Sequence, residues 1–319
     1  MSQLQPTAFE VLLRERPEAV ELPAITVIIP TLCQSQRRES LRAAVQSVVS
    51  QRGVRAKALL AVNGNRADED LLRMIEAEPG VEVLRIREAG IANALRSARV
   101  RVRTETFAFL DDDDVLLDGS LVCRWERMRQ QGADVVVGNG HFVGREPILF
   151  DIDRLEADPL ARLASGRNWL ASPAGLFRTQ SIDLEFFDGK NGFHEWTMLA
   201  FKLAVAGKKI SFVGQLCYCL YETPGSAWRA GGERFHADAI SVAGHCLRNS
   251  PKHLKPAFLN RWISALHDAS EFHAGAGNRA AAWRLHAKCL VAGGWRFLPF
   301  TLRLAAASVS LPPAAHRAS

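Results

Sequence analysis

Six cysteines are scattered through 319 residues (Cys33, Cys123, Cys217, Cys219, Cys246 and Cys289), and none falls at the spacing of a zinc knuckle or a redox pair. A disulfide scaffold and a thiolate metal site are disfavoured, and the reduced thiols of a cytoplasmic protein are the expectation. The first twenty residues place Arg14, Glu15, Arg16 and Glu18 where an export signal needs its apolar segment, so nothing there reads as exported. The longest nearly charge-free stretch, Phe297 to Pro313, holds Arg303 and internal proline, which makes it too short and too broken to span a bilayer. Internal repeats and low-complexity tracts are missing. So are helix-turn-helix, zinc-finger and aromatic-basic groove signatures, and no nucleic-acid partner is expected despite a net charge of +6.

What is present is a composition of 48% hydrophobic and 23% charged residues, that of a folded protein with room for one large α/β domain or two modest ones. The basic excess is uneven. From Pro251 to Ser319 nine Lys and Arg face two Asp and Glu, so the rest of the chain is close to neutral. Such a tail fits an anionic surface, either acidic phospholipid or a phosphorylated substrate, or it serves solubility alone. Trp295, Phe297, Leu298, Phe300, Leu302 and Leu304 lie among Arg284, Lys288, Arg296 and Arg303, a mixture that suits either a membrane interface or burial against the rest of the protein.

Ala24 to Pro30 is a continuous apolar run closed by proline, which predicts a strand buried on both faces. Leu41, Ala44, Val45 and Val48 repeat at helical spacing within 38–51, and Gly53 stops that helix. Strands over 57–62, 81–86 and 106–110 alternate with helices over 68–77 and 90–101. A helix over 119–131 and a strand over 133–137 follow, then an extended segment over 172–178, a helix over 194–206 and a strand over 209–217. The chain from Ala237 is mainly helical. Such alternation implies a mostly parallel, doubly wound α/β sheet, in which ligands bind beyond the carboxyl ends of the strands.

At the carboxyl end of the fourth strand stand Asp111, Asp112, Asp113 and Asp114. Four adjacent carboxylates repel one another unless a cation offsets them. Alternation along an extended chain would put Asp111 and Asp113 on one face, two oxygen ligands suited to Mg²⁺ or Mn²⁺. The competing reading is an acidic cap on the helix that follows.

Ile25-Thr-Val-Ile-Ile-Pro-Thr31, Leu41 to Gln51 and, most specifically, Phe107-Ala-Phe-Leu-Asp-Asp-Asp-Asp114 together resemble the family-2 inverting glycosyltransferases, whose fold is GT-A; the resemblance covers about Ile25 to Tyr221. It implies a nucleotide-diphosphate sugar donor bound through the metal, with Asp113 as the direct ligand and Asp111 and Asp112 on donor, sugar or metal-bound water. Pro30 and Thr31 would border the donor. Gly90 leads a loop into a helix on which Asn93 faces the nucleotide. Asn63 stands where the family has an acidic pair, and could pair with the base through its amide. Arg96 occupies the place of the family's usual asparagine. A glycine-rich segment, 223–232, resembles a lid that carries Arg229 toward the diphosphate.

Inverting transfer needs a base opposite the leaving group. Gly192-Phe-His-Glu-Trp-Thr is similar to the family's acidic pair at the head of a helix, with His-Glu in place of two acids. It implies Glu195 as base with His194 as helper, and Asp188 as a further candidate; an ordinary acid in a helix's first turn is the alternative. Trp196 falls at core spacing and would aim the helix.

The expected organisation is an N-terminal extension (1–22), a GT-A domain (23–236) and a basic helical region (237–319). The expected activity is metal-dependent, inverting transfer to a saccharide or lipid-linked acceptor at the cytoplasmic side of a membrane, in surface polysaccharide or glycolipid synthesis. An inactive sugar-nucleotide or glycan-binding relative is the alternative. A nucleotidyltransferase is disfavoured, because Thr31-Leu-Cys-Gln-Ser stands where a glycine-rich phosphate loop with lysine would be needed.

Overall fold

A computed structural model describes residues 21–88, 90–187, 192–222 and 232–309. One sheet of eight strands organises the molecule, in the order β3-β2-β1-β4-β7-β6-β8-β5. The strands are β1 (Ala24–Thr31), β2 (Arg55–Asn63), β3 (Val81–Ile86), β4 (Thr106–Phe109), β5 (Val115–Leu116), β6 (Val135–Phe142), β7 (Gly175–Arg178) and β8 (Ile210–Leu220). β1 is buried from Ile25 to Thr31 because it lies between two parallel neighbours, β2 and β4. β3 extends this parallel half. β7 then runs antiparallel between β4 and β6, β6 pairs parallel with β8, and the two-residue β5 closes the edge antiparallel. The sheet is thus mixed but mostly parallel: β1, β2, β3, β4, β6 and β8 share one direction, and β7 and β5 run against it.

Helices α1 (Arg38–Val49), α2 (Glu69–Glu76), α3 (Ile91–Arg101) and α4 (Ser120–Gln131) connect the strands at the expected places. α1 sets Leu41, Ala44, Val45 and Val48 into the core, as their spacing requires. Asp68 caps α2 by accepting from the Asp70 and Leu71 amides. Two short helices that the sequence pattern did not signal, α5 (Ile152–Ala157) and α6 (Pro159–Ala164), fill the span between β6 and β7; α7 (Glu195–Val205) precedes β8. Four helices follow, α8 (Gly232–Asn249), α9 (Lys255–Gly275), α10 (Arg279–Val291) and α11 (Pro299–Val309).

Phe107 stacks on Phe177 across β4 and β7, Phe109 meets Phe177 edge-on, and the Trp196 ring meets Phe109 at 5.2 Å. The start of α7 is thereby fixed against the strand that delivers the acids. In the tail, Phe300 and Leu304 are buried against Ala282, whereas Trp295, Leu298 and Leu302 face outward. Among the described residues no helix is long and apolar enough to cross a membrane.

Candidate active site

β1, β2 and β4 end on one side of the sheet, and the loops beyond them enclose a cleft of about 470 Å³. Pro30, Thr31, Asn63, Asp111, Asp112, Asp113, Asp114 and Glu195 all line it. The expected alternation of the acids does not hold, because β4 ends at Phe109 and the chain turns, with the Asp114 amide donating to the Asp111 carbonyl at 3.2 Å. Nor are they caps: Gly119, without a side chain, precedes α4.

Each acid meets a different environment. The Thr31 hydroxyl donates to Asp112 at 2.6 Å and itself accepts from the Cys33 amide at 2.9 Å. Cys33 holds a left-handed backbone, φ 49°, unusual for a side-chain-bearing residue, so the turn after β1 stores strain next to the acids. Arg37, just before α1, bridges Asp112 at 2.7 Å and Asp113 at 2.9 Å. Burial still raises Asp112, although Thr31 and Arg37 oppose it. Asp111 is pushed up to about 6 by desolvation and then by the like charges of Asp113 and Asp112; Ser172 stands beside it and lowers it only in part, its own hydroxyl lacking a full hydrogen bond. Asp114 accepts from the Tyr221 amide at 3.1 Å, and burial followed by the Asp111 charge lifts it to about 8.

One guanidinium among four carboxylates leaves negative charge uncompensated, the condition that a divalent cation relieves. Among the described residues no three His, Cys, Asp or Glu side chains converge as a complete protein cage. The donor set therefore fits a hard cation held by two carboxylates at most, with other positions left to ligand oxygens and water.

Glu195 opens α7, and its Oε2 is buried without a hydrogen-bond partner. Desolvation, with smaller contributions from Asp111 and Asp238, raises its carboxyl to about 7. The loop ahead of α7 is tied down from α8, where Asp238 accepts the Gly192 amide at 2.8 Å. His194 does not join the cleft. It lies beside the Phe235 ring, centroids 4.6 Å apart, lines a separate cavity and is held below its ordinary pKa by burial.

The Gly90 amide donates to Asn63 Oδ1 at 3.0 Å, so the ends of β2 and α3 meet at the cleft, and φ 147° at Gly90 explains the glycine. Asn93 turns elsewhere, donating to the Glu88 carbonyl at 3.0 Å, and Arg96 is exposed; Ile91 lines the cleft instead. Arg229, Asp188 and nearly all of the 223–232 lid segment lie outside the described residues. The sequence reading missed Arg37, Ser172, Tyr221 and Asp238. Only Arg37 carried a signal, a cation shortly after the first strand.

A mixed α/β sheet whose acids gather beyond the carboxyl end of β4 is a fold of GT-A type. Residues 26–179, just under half of the chain, match the family described as glycosyl transferase family 2. Among solved structures, S. aureus TarS 1–349 in complex with UDP-GlcNAc is similar at a TM-score of 0.61 and 15% identity, covering 86% of this chain and 91% of that one. The mannosyltransferase PcManGT from Pyrobaculum calidifontis, in complex with GDP-Man and Mn²⁺, is similar at a TM-score of 0.53 and 17% identity, covering 91% and 87%. At these identities the likeness is one of fold. No curated protein matches the chain.

Proposed function

We propose that the protein transfers a sugar, with inversion, from a nucleotide-diphosphate sugar to a saccharide or lipid-linked acceptor, in surface polysaccharide or glycolipid synthesis at the cytoplasmic face of a membrane. Residues 23–236 form the transferase unit and 237–319 a basic helical region. The observation that carries this reading is the meeting, in one cleft, of the Asp111–Asp114 turn and the buried, unpartnered Oε2 of Glu195. The UDP-GlcNAc and GDP-Man complexes of TarS and PcManGT support the donor class.

Asn63 and Gly90 border the nucleotide, and Pro30 and Thr31 the floor beneath it. Asp113 and Asp111 would hold Mg²⁺ or Mn²⁺, which supplies positive charge to the diphosphate as it leaves. Glu195 takes the proton from the acceptor hydroxyl, whose oxygen then bonds to the anomeric carbon while the bond to the diphosphate breaks with its electron pair. Its raised pKa suits a base that must release the proton again near neutral pH. Arg37 fixes Asp112 and Asp113 against their mutual repulsion.

The test is thermal stabilisation by a panel of nucleotide-diphosphate sugars with Mn²⁺, Mg²⁺ or chelator, repeated on Asp113→Ala. A metal-dependent shift with one donor, lost in the variant, is expected, and that donor should then show turnover. Donor binding without turnover in any acceptor mixture would favour the inactive, sugar-nucleotide-binding relative.

A further inference from the structure

The fold brings together two cysteines that the sequence keeps 94 residues apart. Cys123 on α4 and Cys217 on β8 face each other with their sulfurs 3.7 Å apart, where the helix packs on the strand. Gly138 on β6 makes the space for them. A Cβ at that position would fall 2.6 Å from the Cys217 sulfur and 3.2 Å from Cδ of Arg124, the residue after Cys123. Cys217 is fully buried, whereas Cys123 is only half-buried. Each sulfur also lies near one backbone carbonyl of its own element, Ser120 for Cys123 and Gln215 for Cys217.

Two thiols in contact lose their first proton more readily than one alone, because the thiol that remains donates to the thiolate. That hydrogen bond from Cys123 draws Cys217 below the ordinary thiol range; burial opposes it and the Arg124 guanidinium assists. The thiolate is the form that oxidants attack. The remaining proton lies between the two sulfurs, so the negative charge is shared by the pair and is available to Cys123 by transfer along the hydrogen bond. Cys123 is then the sulfur that a small solute reaches, and Cys217 stands behind it in position to close a bond.

We propose that Cys123 and Cys217 are a redox modification site, at which a peroxide forms a reversible disulfide that staples α4 to β8. The Cys123 thiolate attacks one peroxide oxygen; the O–O bond breaks with its electron pair to the other oxygen, which takes a proton from solvent and leaves as water. Cys123 is now a sulfenic acid. The Cys217 sulfur attacks the Cys123 sulfur, the S–O bond breaks, and the departing hydroxide takes the Cys217 proton to leave as a second water. Two electrons have passed from the sulfurs to the peroxide, and the sulfurs have closed from 3.7 Å to about 2 Å. Both stapled elements serve the cleft. Arg124 holds the Pro173 and Ala174 carbonyls beside Ser172, and β8 leads to Tyr221, whose amide reaches Asp114. The site does not depend on the transferase reading, since the same oxidation is expected of an inactive relative.

The experiment treats the full chain, freshly reduced, with hydrogen peroxide, blocks the remaining thiols with N-ethylmaleimide in denaturant, and maps the peptides by mass spectrometry without reductant. The expected product joins Cys123 to Cys217, forms roughly tenfold faster than any other thiol is lost, and reopens with dithiothreitol. Cys123→Ser and Cys217→Ser should each abolish it, and Cys219→Ser should leave it intact. On oxidation, hydrogen exchange across 120–131 and 210–220, the two stapled elements, should slow by about threefold or more. Six free thiols after treatment, a sulfinic acid on Cys123 with Cys217 still free, or a bridge to another cysteine would each overturn the site. A Cys123–Cys217 bridge with exchange unchanged or faster across both elements would overturn the staple. Should Cys217→Ser fail to fold, Cys123→Ser decides alone, because that side chain is only half-buried.

Discussion

Glu195 has a carboxyl raised from its ordinary 4.5 to about 7, chiefly because burial withdraws water from it. Between those two values the folded protein holds a proton that the unfolded chain releases, so this group's contribution to stability is full below about 4.5, falls as pH rises, and is lost above about 7. Glu195→Gln removes that penalty. The variant should match the parent's melting temperature at pH 4.5 and exceed it at pH 8, by on the order of 3 kcal/mol in unfolding free energy. Its transfer rate should fall by roughly 10² to 10⁴, with donor binding kept. In the parent, turnover should rise with pH through about 7 as the base deprotonates; a flat profile, or an unchanged rate in the variant, would remove Glu195 from the reaction. Arg37 is the opposite case, a cation whose loss leaves Asp112 and Asp113 facing each other. Arg37→Ala should lower stability by about 1–3 kcal/mol at pH 8 and make the melting temperature depend more steeply on Mg²⁺, which a calorimetric scan at several Mg²⁺ concentrations would read.

At the scale of elements, what was legible followed from local chemistry. β1 to β4 and their connecting helices announce themselves by apolar runs, helical spacing and glycine stops, and the acid turn by its charge. The direction of β7 has no sequence signature, since an antiparallel strand of four residues reads like a parallel one, and the two-residue β5 is too short to carry a period. The pairing of Arg37 was hidden for another reason: it meets Asp112 across 75 residues only because β1 and β4 are neighbours. His194 was placed beside Glu195 in sequence, yet successive residues at a helix start point about 100° apart, and it faces the other cavity. Arg124 shows the same long reach. Fully buried on α4, it donates to the Ser120, Pro173 and Ala174 carbonyls, and so ties α4 to the turn that carries Ser172 into the cleft. Arg124→Leu leaves those carbonyls without a donor. It should cost about 3 kcal/mol or more and raise hydrogen exchange selectively across 171–178; uniform exchange would show that Arg124 serves the core generally and not this turn.

Across the whole molecule, charge and exposed apolar surface coincide at one end. Val291, Trp295, Leu298 and Leu302 are large apolar side chains left in water, Val291 at 87% and Leu302 at 75% exposure, within twelve residues of chain. Lys288 on the preceding helix and Arg296 and Arg303 among them add positive charge, in a region where basic residues exceed acidic ones by seven. Apolar side chains of this size gain little from isolation in water, and an indole beside cations suits the headgroup zone of a bilayer. The membrane association proposed above would use both features, and it would bring a lipid-linked acceptor to the cleft. In vesicle flotation the full chain should rise with phosphatidylglycerol vesicles and much less with phosphatidylcholine ones, and salt should weaken the association through its electrostatic part. Trp295→Ser combined with Leu302→Ser should abolish flotation while leaving donor-induced stabilisation intact, since neither residue lines the cleft. Equal flotation with neutral vesicles would reduce the basic tail to a solubilising role, and unimpaired flotation in the double variant would move the contact away from this stripe.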